Sequence, residues 1–131
     1  MRVLITGSRG YIGSRLCQII RKQFKKITIK GVDSNFYSYK KKLEHHYENL
    51  DIRDLSLIDF KEIDSVIHLA SLSNDPLGSL NKKLTREINY KATVNMGRLA
   101  KKAGVKRFIY ISTQSVYGIS KNKNALIKES E

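Results

Sequence analysis

The sequence predicts an α/β fold in which one parallel sheet of about five strands is covered by helices on both faces, and three observations lead to it. Short apolar runs alternate with stretches of helical periodicity along the chain. A glycine-rich turn joins the first strand to the first helix, and the run 65–70 is apolar enough to be buried on both faces. Strands joined by helices in this rhythm form right-handed crossovers, and the usual strand order is 3-2-1-4-5.

In the first half of the chain the pattern predicts three strands, one long helix and a brief helical turn. The strands are 2–6, 27–32 and 47–50, the helix is 11–24 and the turn is 55–60. The second strand is β-branched, as is typical of sheet positions, and the third is short. The intervening segment 35–48 is polar, aromatic and lysine-rich, so we expect a loop or short helix whose tyrosines pack on the surface.

In the second half the pattern predicts two strands that flank the longest helix. The strands are 65–70 and 107–112, and the helix is 84–103. One stripe of this helix is apolar and would face the sheet: Ile88, Ala92, Met96, Leu99 and Ala103. Gly104 ends the helix, and the loop 71–83 holds the only proline. His68 lies within a buried strand, so we expect a core histidine rather than a catalytic one.

Length and composition point to one compact domain, because the 131 residues are 40% hydrophobic with no low-complexity tract. No apolar run approaches the roughly 20 residues that cross a bilayer, and no secretory signal precedes the first strand. We therefore expect a cytoplasmic protein with no membrane partner, and we predict no metal site. The single cysteine, Cys17, lies among apolar residues and is expected to be a buried thiol.

The chain carries a net charge of +13, from 25 lysines and arginines against 12 acidic residues. The basic residues occur in pairs along the whole chain instead of clustering on one helix or alternating with stacking aromatics. A lysine-rich solvated surface is the simplest interpretation, and nucleic-acid binding is not favoured. Attraction to a phosphorylated cofactor or substrate fits the charge equally well.

The glycine pattern between the first strand and the first helix is the most informative feature of the sequence. The segment Thr6–Gly13 reads Thr-Gly-Ser-Arg-Gly-Tyr-Ile-Gly. In a Rossmann-type fold, Gly7 allows a tight turn, Gly10 lets the backbone approach a pyrophosphate, and Gly13 lets the helix pack on the strand. Free N–H groups and the positive end of the helix dipole then face the anion. An ordinary strand-to-helix turn is the alternative interpretation.

Asp33 follows the second strand, 20 residues after Gly13. At that position a carboxylate can accept hydrogen bonds from the ribose hydroxyls of adenosine, and it repels a 2′-phosphate. The sequence therefore favours NAD over NADP, although the lysines at 40–42 could soften the preference. A turn aspartate with no ligand is the alternative.

A series of short segments follows in the order and at the spacing of a known family. They are Thr6–Gly13, Asp33, Asp51–Asp54, His68–Ser71, Asn89 within Ile88–Thr93, Gly104–Phe108 and Ser112–Gly118. With them, the chain resembles the N-terminal part of an extended short-chain dehydrogenase/reductase, in the NAD-dependent epimerase/dehydratase family that acts on nucleotide sugars. The resemblance spans essentially all 131 residues.

The resemblance implies a set of residues around an NAD cofactor. They are Gly7, Ser8, Arg9, Gly10, Tyr11, Ile12, Gly13, Asp33, Asp51, Ile52, Leu69, Ala70, Ser71, Asn89 and Ser112. Asp51 and Ile52 would flank the adenine, and 69–71 would line the path of the pyrophosphate and the nicotinamide ribose. Arg9 would contact the diphosphate or be solvated. Asn89 would be structural or would hold a water near the active site.

For catalysis, the resemblance singles out the segment after the fifth strand. Thr113 is the candidate whose hydroxyl would hydrogen-bond the reacting sugar oxygen, with Gln114 and Ser115 facing the substrate. The family's dehydratases carry acidic residues near this point, so Gln114 leaves the reaction open. The family's catalytic tyrosine and lysine open the next helix, whereas Tyr117 and Lys121 have the right spacing but lie too close to Thr113.

The chain is therefore expected to stop before its general acid/base and its substrate-binding region. It would be an incomplete NAD(P)-binding Rossmann domain, 1–131, of an enzyme in which hydride moves transiently between a sugar carbon and NAD. Alone, it would bind NAD without turnover. The alternatives are a non-catalytic dinucleotide-binding or interaction module and, from another class, a nucleic-acid binder. The fifth strand would be an exposed edge, which favours marginal stability, a homo-oligomer or another pairing partner.

Overall fold

A computed structural model of the chain describes residues 1–36, 43–73, 81–113 and 116. Within these residues the chain forms one five-stranded parallel sheet. Its strands are β1 (Arg2–Thr6), β2 (Thr28–Asp33), β3 (His46–Asn49), β4 (Ser65–His68) and β5 (Arg107–Tyr110). They lie in the order β3-β2-β1-β4-β5, which confirms the predicted fold class and strand order.

The helices of the described residues cover both faces of this sheet. The first is α1 (Tyr11–Gln23), and the second is a continuous run of α2 (Lys82–Arg86), a π-helical segment (Glu87–Ala92) and α3 (Thr93–Lys102). Two 3-10 turns, Ile52–Asp54 and Leu57–Phe60, stand where the sequence predicts one brief helical turn. None of the helices in the described ranges is long and apolar enough to cross a membrane.

The long helix differs from the unbroken α-helix that its apolar stripe predicts. It begins two residues early, because the Asn81 side chain accepts a hydrogen bond from Leu84 N–H (3.0 Å) and so caps the first turn. Its middle turn is π-helical, and such segments occur frequently at functional sites. The candidate residue Asn89 lies in that segment.

Strands β4 and β5 end earlier than their apolar runs predict. Leu69 N–H still donates to Thr6 O of β1 (3.2 Å), but the next amide, Ala70 N–H, donates to the Thr6 side chain at Oγ1 (3.4 Å) instead of the main chain, so β4 ends at His68. Beyond β5, the N–H of Ile111 reaches His68 O only at 3.4 Å. The segments that follow β4 and β5 therefore leave the sheet at its carboxyl edge, where ligand-binding loops begin in such folds.

Two apolar cores, one on each face, stabilise the sheet. Successive side chains of a strand point to opposite faces, so Leu4 belongs to one core and Ile5 to the other. The core under the long helix includes Leu4, Phe60, Val66, Ala92, Met96 and Ala100. The core under α1 includes Val3, Ile5, Cys17, Ile20 and Ile29. This packing on both faces is the doubly wound arrangement that the sequence predicts.

Within the described residues, β5 is an edge of the sheet, because it pairs with β4 alone. Its Ile109 and Tyr110 are about half exposed. A shallow groove beside α1 and β5 is lined in part by Val3, Ile20, Ile67 and Ile109. β4 is therefore only partly buried on this face, at Ile67, although its sequence predicts burial on both faces. Marginal stability and self-association stay predictions.

We expect Cys17 to be unreactive in the folded protein. Its side chain is fully buried, and burial raises the pKa of its thiol from 9.0 to about 12. Because the thiolate is the reactive form, labelling by a chromogenic disulfide at about pH 8 should be slow in buffer and fast in denaturant. Fast labelling of the folded chain would contradict this burial.

Candidate functional site

The glycine turn lies at the carboxyl edge of the sheet, between β1 and α1. Gly7 has a φ of +69°, a conformation that favours glycine, and its N–H donates to Val32 O in β2 (2.8 Å). A Cβ atom on Gly7 would lie 2.8 Å from Ala70 N. The turn therefore closely approaches the loop after β4, at the point between β1 and β4 where the strand order reverses. Ligands of open α/β sheets bind in this crevice.

Gly13 and Gly10 differ in how closely the surrounding backbone approaches them. A Cβ atom on Gly13 would overlap the carbonyl oxygen of Gly7 and would lie 2.8 Å from Ser8 Cα. This is the close packing of α1 on the turn that the sequence predicts for Gly13. A Cβ atom on Gly10 would lie 3.3 Å from Gly7 O, which is a tight contact without overlap. The protein itself thus leaves more room beside Gly10.

The first turn of α1 is open to an anion. Its N–H groups have no acceptor within the helix. Gly10 provides no side-chain cap, and the first turn contains no acidic residue. Tyr11 and Ile12, which are predicted to face a cofactor, are exposed beside this turn. No carboxylate of the first turn therefore compensates the positive end of the helix dipole.

Asp33 connects the end of β2 to the glycine turn. Its Oδ2 accepts a hydrogen bond from Arg9 N–H (2.9 Å), and its Oδ1 accepts one from Asn35 N–H (2.7 Å). Asn35 has a φ of +57°, so the chain turns sharply there. Asp33 thus stabilises the turn after β2, and its role toward a ribose stays a prediction. Each carboxylate oxygen still has a lone pair for another donor.

The side chain of Arg9 packs on the ring of Tyr47 instead of being solvated. Its guanidinium carbon lies 3.3 Å from the centre of the Tyr47 ring, and the side chain is only 18% exposed. Nη1 lies 3.5 Å from Asn35 Oδ1, and Nε lies 3.7 Å from Glu44 Oε1 without a hydrogen bond of its own. Arg9 therefore packs over the ends of β2 and β3, beside Asp33.

Glu44 is a buried carboxylate beneath the glycine turn, and the sequence reasoning missed it. Its side chain is 0% exposed; Oε1 accepts a hydrogen bond from Ser8 Oγ (2.7 Å), and Oε2 accepts one from Leu43 N–H (3.2 Å). Gly31 in β2 provides the room, because a Cβ atom there would overlap Glu44 and lie 2.6 Å from Ser8 Oγ. A glycine inside a β-branched strand indicates such a close approach, and that signal could have located Glu44.

Asp51 and Ile52 follow β3 at the same edge of the sheet. The Asp51 carboxylate accepts hydrogen bonds from Arg53 Nε (3.0 Å) and Nη2 (2.8 Å), and these lower the pKa of Asp51. The side chain of Ile52 packs in the core under the long helix. Only the main chain of Ile52 is thus available to a ligand, and Asp51 already has a cationic partner.

Asn89 holds the loop that follows β4. Its Oδ1 accepts a hydrogen bond from Leu72 N–H (2.8 Å), and its Nδ2 donates to Leu72 O (3.0 Å). Of the two roles that the sequence left open, this geometry favours the structural one. In the same loop Leu69 and Ala70 are half-buried and Ser71 is exposed.

His68 is a core histidine, as the sequence predicts. It is 1% exposed, and both ring nitrogens have hydroxyl partners: Nδ1 lies 2.6 Å from Thr6 Oγ1, and Nε2 lies 2.8 Å from Thr93 Oγ1. Burial lowers the pKa of His68 from 6.5 to about 4. The imidazole is therefore neutral near neutral pH.

Ser112 and Thr113 are exposed and follow β5 at the carboxyl edge of the sheet. The carbonyl of Thr113 accepts a hydrogen bond from Val116 N–H (3.3 Å). Gln114, Ser115 and the segment 117–121 lie outside the described residues. The catalytic and substrate-facing roles of this segment stay predictions.

The sequence of the chain is similar to those of known proteins. The profile of the NAD dependent epimerase/dehydratase family matches residues 3–131. UDP-glucuronic acid decarboxylase 1 of Danio rerio is 34% identical over 121 residues, which cover 89% of this chain and 28% of that protein.

Solved structures show the same arrangement of the chain. UDP-N-acetylglucosamine 4-epimerase of Methanobrevibacter ruminantium M1, in complex with UDP-N-acetylmuramic acid, has a TM-score of 0.83 and 27% identity, covering 99% of this chain and 43% of that one. MoeE5, in complex with UDP-glucuronic acid and NAD, has a TM-score of 0.84 and 27% identity, covering 100% and 42%. The chain thus spans less than half the length of each of these relatives.

Proposed function

The chain belongs to the NAD-dependent epimerase/dehydratase family, and we propose that it forms the NAD-binding part of a nucleotide-sugar epimerase or dehydratase. The glycine turn carries this proposal. Gly7 and Gly13 are held where no side chain fits, and the first turn of α1 has no acidic residue that would repel a diphosphate. The nucleotide-sugar part rests on the relatives, whose names or bound ligands contain UDP-linked sugars.

The residues at the carboxyl edge fit a dinucleotide that runs across the strand ends. The pyrophosphate would lie against Gly7–Gly13 and the first turn of α1, and the adenosine ribose would lie beside Asp33. Asp51 and the main chain of Ile52 would flank the adenine. The loop Leu69–Ser71, which Gly7 contacts, would line the rest of the path.

We favour NAD over NADP because of the charges beside Asp33. Asp33 Oδ2 accepts from the main-chain N–H of Arg9, and Arg9 Nε lies 3.7 Å from Glu44 Oε1, so these three described groups together carry one net negative charge. Glu44 is fully buried, so its charge is little screened by water or salt. A 2′-phosphate on the ribose would add a further negative charge at this point and would be repelled.

NAD, when bound, supplies a reversible hydride acceptor. On the protein side, we propose that the Thr113 hydroxyl donates a hydrogen bond to a sugar oxygen, with Gln114 and Ser115 as further substrate contacts. We expect the 131-residue chain to bind NAD without turning over a sugar.

Replacing Gly10 with glutamate tests the binding proposal directly. A carboxylate at the N-terminus of α1 would occupy the space beside Gly10 and would repel a diphosphate, so NAD affinity should fall by about tenfold or more. Isothermal titration of the full chain with NAD measures this. Gly97→Glu is the matched control, because Gly97 lies in α3 and its Cβ position has no described atom within 4 Å apart from its own stretch of helix. If Gly10→Glu binds NAD as tightly as Gly97→Glu does, the binding proposal is wrong.

A further inference from the structure

A chain of hydrogen bonds runs through the interior from the loop after β4 to the π-helical segment. Ala70 N lies 3.4 Å from Thr6 Oγ1, which lies 2.6 Å from His68 Nδ1. On the other side of the ring, His68 Nε2 lies 2.8 Å from Thr93 Oγ1, which lies 3.0 Å from Asn89 O. Phe108 and Tyr110 of β5 lie beside the imidazole, with ring centroids 6.2 and 5.6 Å away.

The Thr93 end of this chain, where the acceptor is a carbonyl, indicates where the proton of His68 lies. Asn89 O can only accept, so the hydroxyl proton of Thr93 points to it, and Thr93 Oγ1 must accept from His68. His68 therefore carries its proton on Nε2, and Nδ1 is an acceptor. Thr6 must then donate to Nδ1, which leaves a lone pair of its oxygen for the N–H of Ala70.

We propose that His68, neutral and protonated on Nε2, is a positioning residue for cofactor binding, because this tautomer holds the loop 69–73 in place against the glycine turn. The inference rests on the proposed function, in which that loop lines the path of NAD. Ala70, the first attachment point of the loop, donates to Thr6 Oγ1, and His68 Nδ1 orients that hydroxyl by accepting its proton. Leu72, the second attachment point, is held by the side chain of Asn89. The carbonyl oxygen of Asn89 in turn accepts a hydrogen bond from the Thr93 hydroxyl.

The opposite tautomer would break this arrangement. With the proton on Nδ1, the lone pair of Nε2 would face the oxygen of Thr93, 2.8 Å away, while the Thr93 proton points to Asn89 O. Two facing acceptors repel, so Thr93 would have to turn its proton to His68 and abandon Asn89 O. The bond between Thr93 and Asn89 O is part-buried, so water compensates its loss only in part.

The experiment reads the tautomer and NAD affinity in the same protein. The full chain is labelled with nitrogen-15, and long-range proton–nitrogen spectra distinguish the protonated from the unprotonated ring nitrogen of His68. NAD affinity is measured by calorimetry for the wild type, Thr93→Val and Thr93→Ser. Valine has the shape of threonine without the hydroxyl, whereas serine keeps the hydroxyl. Thr93→Ala is the second hydroxyl-free variant if valine prevents folding, because alanine favours a helix.

We expect the proton on Nε2 in the wild type and in Thr93→Ser, with NAD affinities that differ by no more than about twofold. In Thr93→Val or Thr93→Ala, the acceptor of Nε2–H is gone, so the proton should move to Nδ1 and NAD affinity should fall by about tenfold. A proton on Nδ1 in the wild type overturns the inference. So does a folded hydroxyl-free variant that changes tautomer and binds NAD as the wild type does. A wild type with no NAD affinity at all overturns the proposed function instead, whatever the tautomer.

Discussion

Replacing Gly13 with alanine is expected to abolish NAD binding and to destabilise the fold by about 3 kcal/mol or more. The added Cβ atom would overlap Gly7 O and lie 2.8 Å from Ser8 Cα. Both neighbours are backbone atoms of the turn, so no flexible side chain can move aside. The turn would have to separate from α1, and the N–H groups of the helix would no longer point into the crevice between β1 and β4.

Gly97→Ala is the matched control for this prediction. Gly97 lies inside α3, and beyond the helix itself a Cβ atom there would meet none of the described residues within 4 Å. The same substitution should therefore raise the free energy of unfolding by about 0.5–1 kcal/mol, because alanine loses less conformational entropy in a helix than glycine. Urea unfolding monitored by circular dichroism gives the stability of both variants, and calorimetry gives their NAD affinity. If Gly13→Ala is as stable as the wild type, the backbone of the turn does not pack against the Cβ position of Gly13 as closely as the structure shows.

Replacing Glu44 with glutamine is expected to lower the free energy of unfolding by about 2–3 kcal/mol and to reduce the discrimination against NADP. Glutamine can still accept the hydrogen bond from Ser8 Oγ–H. Its oxygen can accept from Leu43 N–H only if its NH2 group turns to Ser8 Oγ, and the Ser8 proton then loses its acceptor; in either orientation glutamine removes the charge beside the Arg9 guanidinium. The charges of Asp33 and Arg9 would then cancel, and a 2′-phosphate would be repelled less.

Titration with both dinucleotides measures this second effect. The wild type should bind NAD about tenfold more tightly than NADP or better, and the ratio should fall in Glu44→Gln. Glu48→Gln makes the same charge change on β3, where the side chain is 44% exposed and pairs with Lys30 (3.0 Å). That exposed pair should contribute no more than about 1 kcal/mol, and its loss should leave the ratio unchanged. An equal change in both variants would show that the discrimination follows total charge instead of the charge at Glu44.

Features that depend on residues close together in the chain could be predicted from the sequence. The period of apolar residues shows that β1 is a strand and α1 a helix. Three glycines at fixed spacing indicate a turn whose backbone geometry requires glycine at those positions. Once strands and helices alternate, the handedness of their connections leaves few topologies. For these reasons the strand order and the location of the glycine turn agree with the structure.

Features that depend on distant pairs could not be predicted in this way. The segment 35–48 reads as a polar surface segment, yet Glu44 is fully buried and Tyr47 lies under Arg9. Ser8, the partner of Glu44, is 36 residues away, and no local pattern connects the two. The same is true of His68. The sequence predicts that it is a buried core histidine, but it does not predict its two hydroxyl partners, Thr6 and Thr93.

The sequence by itself thus determined the architecture, the crevice at the carboxyl edge and the class of ligand that this edge suits, because periodicity and turn chemistry act within a few residues. Only the tertiary structure decided which polar side chains are buried together: Glu44 with Ser8 beside Arg9, and His68 between Thr6 and Thr93. The physical reason is that a buried polar group is stable only if a partner is in place. That partner comes from another strand or helix, so the pairing exists only once the sheet and its helices have assembled.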